Sequence, residues 1–144
     1  MVRFKKKKSR SLIKNACTSL IERLKDEGFI VQLYESYSSN SVYLKLDYGV
    51  SNSIRISDHR GKAYLDYRFN LLTSVTEKSR EVSERGFVKD FYPITDLDDL
   101  MKDIVEHRKE RLDKYGTIRY QKYMDKNIKE YDKLPGFWSK SVVV

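Results

Sequence analysis

The sequence predicts an α+β fold, with an antiparallel sheet of four to five strands, an N-terminal helix and a C-terminal helical hairpin. Two observations predict it. Apolar residues recur every three or four positions in residues 12–24, 97–112 and 120–131, which is the period of an amphipathic helix. Between the first two of these segments, residues 29–71 hold short runs in which apolar and polar side chains alternate, which is the period of a strand.

The N-terminal helix is predicted to follow a cap at Ser9 or Ser11 and to stop at Gly28, because serine satisfies free N–H groups at a helix start and glycine adopts the left-handed stop conformation. A strand at residues 29–34 is β-branched and aromatic. The serine-rich residues 36–41 then predict a turn.

Residues 42–46 and 54–56 alternate and predict a hairpin, and a further strand at residues 64–71 follows a turn at residues 58–62. Short connections favour an antiparallel meander. A fifth strand at residues 87–92 is expected at the sheet edge, ended by Pro93. The charged residues 73–85 show almost no apolar period and predict an exposed loop or a frayed helix.

A second helix is predicted at residues 97–114, with Asp96 as its cap and Gly116 after its end. A third helix, running up to Pro135, is expected to fold back on the second as a hairpin. These elements predict a disordered basic arm at residues 1–11, one α+β domain at residues 12–134 and a tail at residues 135–144. The apolar tail is expected to dock on the body or to contact a partner.

Charge is concentrated at the start of the chain. The first fourteen residues hold seven basic and no acidic side chains, so residues 15–144 carry a formal charge of only +1 out of the total of +8. Such a segment repels itself and attracts a polyanion, most simply a phosphate backbone. A second basic set repeats at helical spacing in the third helix. The predicted nucleic-acid-binding residues are Arg3, Lys5, Lys6, Lys7, Lys8, Arg10, Lys14, Lys122, Lys126 and Lys129.

A protein-binding surface is predicted elsewhere, because residues 15–101 carry a net charge of −3. The acidic cluster Asp96, Asp98 and Asp99 suits a basic protein surface. Phe137 and Trp138 are apolar residues that a partner would cover. The solvated-face interpretation stays open for the third-helix lysines.

No catalytic motif, cofactor or metal site is predicted, because the six glycines are isolated and the chain has one cysteine and two histidines. Cys17 lies on the apolar stripe of the first helix and is expected to be a buried hydrophobe. The adjacent Asp58 and His59 are expected to be turn residues whose side chains diverge, and His107 a solvated surface residue. A metal-dependent nuclease needs two or three carboxylates and a lysine that converge. Glu22, Asp47, Asp66 and Lys45 are the candidates for such a site, and they are only a weak alternative.

Six tyrosines crowd the strand region, where they either stack on nucleic-acid bases or pack as strand residues, and packing is favoured. They are Tyr34, Tyr37, Tyr43, Tyr48, Tyr64 and Tyr67. No apolar run reaches the length of a membrane span and no secretory signal follows the basic start, so we expect a location in the cytoplasm and no membrane partner.

Three segments carry a resemblance: residues 54–59 (Ile-Arg-Ile-Ser-Asp-His), the Gly61-Lys62 turn and the tyrosine-rich residues 64–70. Together with the order of basic segment, helix, strands and charged helix, they resemble small phage and prophage proteins of the broad-spectrum type II anti-CRISPR family. The third helix and its Phe137-Trp138 end depart from that pattern.

The resemblance implies a non-enzymatic inhibitor that acts in the cytoplasm of a bacterial host. Its partners would be an RNA-guided CRISPR nuclease and the guide RNA or target DNA. A chain with a net charge of +8 is a poor DNA mimic, so contact between the basic segment and nucleic acid is the expected route, with a local acidic mimic left open. The alternatives are a general nucleic-acid-binding phage accessory protein and, third, a metal-dependent nuclease.

Overall fold

The structure is a computed structural model that describes residues 2–36, 39–62, 64–130 and 140–144, with the side chains of the first helix described from Ser9 onward. This part of the chain contains three helices and one mixed seven-stranded sheet, an α+β architecture as predicted. The helices are α1 (Val2–Asp26), α2 (Leu97–Tyr115) and α3 (Thr117–Glu130). The strands are β1 (Val31–Glu35), β2 (Val42–Leu46), β3 (Ser53–Ser57), β4 (Phe69–Leu72), β5 (Ser79–Val82), β6 (Val88–Pro93) and β7 (Val142–Val143).

The sheet is larger than predicted and is not purely antiparallel. Its strand order is β5-β6-β4-β3-β2-β1-β7. The first three strands pair antiparallel as expected, but β4 runs parallel to both β3 and β6. The reason is the connection at residues 58–68, which is long enough to return the chain past the roughly 17 Å of a five-residue strand before β4 begins.

Two strand predictions at the end of the sheet are wrong. Residues 73–85, predicted as a loop or frayed helix, contain the edge strand β5, whose side chains are mostly exposed and therefore show no apolar alternation. The strand predicted at the edge, β6, lies between β5 and β4 instead. It ends at Pro93 as predicted. At the opposite edge β7 pairs with β1, so the last residues dock on the body.

The core lies between one sheet face and the helices α1 and α2. Leu20 and Leu24 from α1 meet Leu44 of β2 and Ile54 of β3, and all four side chains are fully buried. Leu100 of α2 belongs to the same cluster. Full burial of such a side chain stabilises the fold by about 1.5–3 kcal/mol, so this layer holds the two helices on the sheet.

The basic segment does not form the predicted disordered arm, because α1 begins at Val2 and includes it. The predicted cap at Ser9 or Ser11 is therefore not the helix start. The segment contains neither glycine nor proline, and lysine and arginine are good helix formers. A helix already held on the sheet by residues 13–24 extends at little cost, since only its nucleation is expensive.

The C-terminal helices match their predicted positions. Asp96 caps α2 by accepting a hydrogen bond from the backbone N–H of Asp99, and Gly116, with φ of 80°, separates α2 from α3. The stretch predicted to continue α3 to Pro135 lies outside the described residues beyond Glu130. None of the helices in the described part is long and apolar enough to cross a membrane.

Candidate nucleic-acid interface

The basic segment leaves the body at one end of the sheet. The Nε of Arg10 in α1 donates to Oδ1 of Asn40 over 3.2 Å, and Asn40 lies in the β1–β2 loop at residues 36–41. This loop is closed by a backbone hydrogen bond of 3.0 Å from Ser36 N–H to the carbonyl of Ser41. The contact places the turn of α1 that holds Arg10 beside the loop at this end of the sheet, and the helix continues for eight residues beyond it toward Val2.

The β3–β4 connection begins at the same end. The amide of Asn40 donates to Oδ2 of Asp58 over 3.3 Å, and Oδ1 of Asp58 lies 3.8 Å from Nε2 of His59. The prediction that these two side chains diverge is therefore wrong, because the loop brings the imidazole of His59 between Asp58 and the buried Arg55 of β3. A chain of polar contacts thus links α1, the β1–β2 loop and the β3–β4 loop.

We call this region the cationic end and define it as residues 3–14 of α1, Ser36 and residues 39–41 of the β1–β2 loop, and the loop at residues 58–62. Lys14 and Lys62 are exposed here, and Arg60 is exposed while paired with Glu81. Positions 3, 7, 10 and 14 follow one another at helical steps of four, three and four, which places them on one helix face. The described backbone therefore repeats basic positions in a line toward the helix N-terminus.

A cleft of about 530 Å³ lies between α1 and the β1–β2 loop. Arg10 and Lys14 line it together with Ser39, Asn40 and one carboxylate, Glu35, so two cations, one anion and hydrogen-bonding groups face a shared concave surface. Cys17 also lines the cleft but is 6% exposed, and burial raises the pKa of its thiol to about 11. The prediction of a buried, unreactive cysteine is consistent with both observations.

A buried arginine supports the β3–β4 loop from below. Arg55 of β3 is 1% exposed and donates from Nη1 to the carbonyl of His59 over 2.8 Å, and from Nη2 to Oγ of Ser57 over 3.1 Å. Nδ1 of His59 lies 3.3 Å from the same Nη2. Within the described residues Arg55 forms no ion pair. Its guanidinium, which donates to an uncharged carbonyl and an uncharged hydroxyl, therefore adds positive potential beneath the loop. No sequence pattern predicts this burial.

Three tyrosines form a row on the sheet face opposite the helices. The ring centroids of Tyr34 and Tyr43 are 6.1 Å apart, and those of Tyr43 and Tyr67 are 5.2 Å apart, both tilted. All three residues are half-buried, and burial raises the pKa of Tyr67 above its usual value. Contacts of this kind agree with the packing interpretation. Tyr37 lies outside the described residues.

The second basic set lies at the opposite end of the sheet. Tyr120 of α3 donates to the buried carboxylate of Asp47, in the short turn Asp47–Gly49 that follows β2, and Asn127 donates to the carbonyl of Tyr48 over 2.8 Å. Lys122, Lys126 and Lys129 are exposed on α3. The structure therefore does not bring them together with the residues predicted at the start of α1.

Asp47 is also the point where several helices meet. Burial, followed by the hydrogen bond to Asp47, raises the pKa of Tyr120 to about 12, so its hydroxyl keeps the proton that it donates. Nε of Arg108 in α2 lies 3.1 Å from Oδ2 of Asp47 as an ion pair. Arg108 also donates to the carbonyls of Glu27 and Gly28 just beyond the end of α1. These contacts join α1, α2 and α3 at the far end of the sheet.

The acidic residues predicted to bind protein have partners within the chain. Asp96 is the α2 cap, Asp98 lies 2.8 Å from Nη1 of Arg23, and Asp99 lies 3.3 Å from Nζ of Lys78. Asp98 is nevertheless 94% exposed at its side chain. Phe137 and Trp138, predicted for the same role, lie outside the described residues.

His107 is not the solvated residue that the sequence predicted. It is half-buried, and its Nε2 accepts from Nε of Arg111 over 2.9 Å and lies 2.6 Å from the amide of Asn52. Burial, and then the nearby Arg111 and Arg68, lowers its pKa to about 4. The imidazole is therefore neutral near pH 7 and links α2 to the β2–β3 connection.

The weak nuclease set is scattered over the fold. Asp47 is buried against Tyr120 and Arg108, whereas Asp66 lies in the β3–β4 connection near Arg85 and Lys89. Glu22 is exposed on α1. In the part of the chain that the structure describes, no three His, Cys, Asp or Glu side chains converge as metal ligands.

The described site is thus a cationic sheet end, a second cationic helix at the opposite end, and a body between them whose buried acids Asp47 and Asp90 have cationic partners. Arg119, which extends the α3 set by one position, was missed in the sequence, although its spacing of three from Lys122 is a helical one. Comparison of the chain with protein-family models, with curated proteins and with solved structures finds no match.

Proposed function

We propose that this chain binds nucleic acid through the cationic end and does so as an inhibitor of an RNA-guided CRISPR nuclease. One observation carries the proposal. Residues 3–14 place seven basic residues on a helix without one acidic residue, at the end of a body where buried carboxylates such as Asp47 and Asp90 already have cationic partners. These carboxylates are therefore not available as counter-charge to this segment, and phosphates would supply it.

The helical form of the segment supports a backbone contact. Neighbouring positions on one helix face are about 5–6 Å apart, so the helical backbone places the basic positions 3, 7, 10 and 14 in one row, which suits a phosphate chain. The free N–H groups at the start of α1 add positive potential of their own. Such contacts give strong salt dependence and little sequence preference, which leaves specificity to the folded body.

The choice of an RNA-guided nuclease as the partner is based on the resemblance of residues 54–70 to the broad-spectrum type II anti-CRISPR family. The exposed ion pair between Asp98 and Arg23 supports a role for the body, because such a pair contributes only about 0–1 kcal/mol and exchanges easily for a partner's cation. In this proposal the cationic end contacts guide RNA or target DNA while the acidic start of α2 contacts protein. Action in the bacterial cytoplasm follows from that target.

The arrangement of α2 and α3 as a helical hairpin is part of the same proposal. A single residue, Gly116, joins the two helices, and the ring of Tyr115 contacts that of Tyr123 at a centroid distance of 5.1 Å. A hairpin would hold α3 clear of the cationic end. The general nucleic-acid-binding protein remains the second candidate, favoured by the same basic segment without any nuclease contact.

The test compares affinity for the nuclease protein alone, the guide RNA alone and the assembled complex, over a salt series. We expect the assembled complex to bind more tightly than either component. Asp98→Arg should weaken binding to the complex and leave binding to naked RNA unchanged or stronger, whereas Asp113→Arg, at another exposed site on α2, should leave the complex unaffected. Equal or weaker binding to the complex would contradict the nuclease-inhibitor proposal and leave the general nucleic-acid-binding protein as the function.

A further inference from the structure

The helix α3 carries a second basic surface that is fully described. Arg119, Lys122, Lys126 and Lys129 follow one another at steps of three, four and three, so they share one helix face. All four residues are exposed, and none forms an ion pair with another described residue. We call this set the α3 stripe. The opposite face of α3 packs on the body through Tyr120 and Met124.

The α3 stripe and the cationic end are far apart. Arg10 marks the cationic end, and the carbonyls of Glu27 and Gly28 mark the other end of the same helix through their hydrogen bonds to Arg108. Sixteen helical steps separate Arg10 from Asp26, which is about 24 Å at 1.5 Å per residue. This exceeds the Debye length of about 8 Å at physiological ionic strength, so the two surfaces act as separate electrostatic sites.

Acidic residues occupy the helical surface between the two sites. Glu22, Asp26 and Glu27 are exposed at the C-terminal part of α1, and Glu106 is exposed on the neighbouring α2. One shallow depression there is lined by four carboxylates and two cations, so its net charge is negative: Asp26, Glu27, Asp98 and Glu106 against Arg23 and Lys102. A polyanion that follows α1 from the cationic end would meet these carboxylates before it reached α3.

We propose that the α3 stripe is a second phosphate-binding site and that the protein bridges two separate nucleic-acid segments, one at each end of the sheet. This rests on the proposed function for its first segment. The acidic surface between the sites opposes one continuous path and favours two segments. Bridging would raise the local concentration of the second segment without any new contact at the first.

The test uses two DNA duplexes of unrelated sequence, one immobilised and one labelled with a fluorophore. Wild-type protein should retain the labelled duplex on the immobilised one. A variant that combines Lys122→Gln, Lys126→Gln and Lys129→Gln should still bind a single duplex but lose retention of the second. The matched control combines Lys25→Gln, Lys102→Gln and Lys109→Gln, three exposed lysines outside both sites, and should bridge like the wild type.

Removal of three phosphate contacts should also change the salt dependence of the bridging step. The slope of log K against log salt concentration should become smaller in magnitude by about 2.7. Single-duplex binding without bridging by the wild type, or bridging that survives in the α3 variant, would overturn the second site and leave the proposed function intact. If the wild type bound no duplex at all, both the proposed nucleic-acid binding through the cationic end and the second site on the α3 stripe would be wrong. If the α3 variant kept bridging but lost binding to phosphatidylserine vesicles, the stripe would be a membrane contact and the inference would be wrong.

Discussion

Arg10 and Asn40, thirty positions apart in the sequence, are joined by a hydrogen bond of 3.2 Å between α1 and the β1–β2 loop. Asn40 in turn donates to Asp58. The core residues 13–24 hold α1 on the sheet, and this pair marks where the basic segment leaves the body, next to two loops. The cationic end is therefore a product of tertiary contacts and not of the segment alone.

Gly61→Ala is expected to destabilise the protein and to disturb the β3–β4 loop. A Cβ at Gly61 would lie 2.9 Å from Cζ of the buried Arg55, and the residue has φ of 79°. Both the left-handed backbone and the contact cost free energy, and the first alone costs about 1–2 kcal/mol. Urea unfolding measures the loss.

Gly86→Ala is the matched control for that change. Gly86 has φ of 85° and no heavy atom within 4 Å of its added Cβ, so it shares the backbone cost without the contact. Gly61→Ala should therefore cost more than Gly86→Ala. Equal losses would show that Arg55 moves freely and does not hold the loop.

Tyr120→Phe is expected to destabilise the far end of the fold. The hydroxyl of Tyr120 donates to the fully buried Asp47 and accepts from Ser51. Its removal takes one hydrogen bond from Asp47, which keeps its contacts with Ile30 and Arg108, and leaves the buried hydroxyl of Ser51 without its partner, which costs about 1–3 kcal/mol. Tyr123→Phe, which keeps the ring contact with Tyr115, should stay within about 0.5 kcal/mol of the wild type in the same urea titration.

His107 predicts a loss of stability in mildly acidic solution. Its pKa is lowered to about 4 in the folded chain, whereas an unfolded histidine titrates near about 6.5. The unfolded chain therefore binds the proton first as pH falls. The contribution of His107 to stability is complete above about pH 6.5 and declines as the pH falls toward about 4.

The measurement is the urea midpoint of wild type and His107→Gln across this pH window. His107→Gln should show a flatter pH dependence, because glutamine does not take up a proton. His59→Gln removes the other imidazole and serves as the control. A wild-type midpoint that rises on acidification, or an unchanged slope in His107→Gln, would contradict the assigned environment of His107.

Much of the fold could be predicted from the sequence in segments where apolar residues repeat clearly at either helical or strand spacing. The limits of α2, with Asp96 as cap and Gly116 after its end, follow from local chemistry that the structure confirms. The strands β2 and β3 alternate clearly because their apolar side chains lie on the sheet face under the helices, while the other face carries polar side chains such as Lys45 and Arg55, which are also buried. Cys17 was likewise recognised from its place on an apolar stripe.

The remainder depended on contacts between distant residues. The parallel pairing of β4 with β3 is set by the path of the residue 58–68 connection, which has no local signature. The edge strand β5 is exposed and so carries no apolar period. Arg55 looks like an ordinary strand arginine in the sequence, and its burial depends on Ser57, His59 and Gly61 arriving around it.

The most direct test of the cationic end is the salt dependence of duplex DNA binding by a variant that combines Lys5→Gln, Lys6→Gln, Lys7→Gln and Lys8→Gln. Glutamine keeps the helix propensity of lysine and removes only the charge. Its matched control combines Lys25→Gln, Lys102→Gln, Lys109→Gln and Lys114→Gln, four exposed lysines elsewhere on the helices. For the first variant the account predicts a weaker affinity than the wild type. It also predicts a slope of log K against log salt concentration that is smaller in magnitude by about 3.6, with little change in the control. Equal slopes and affinities in the two variants would contradict it.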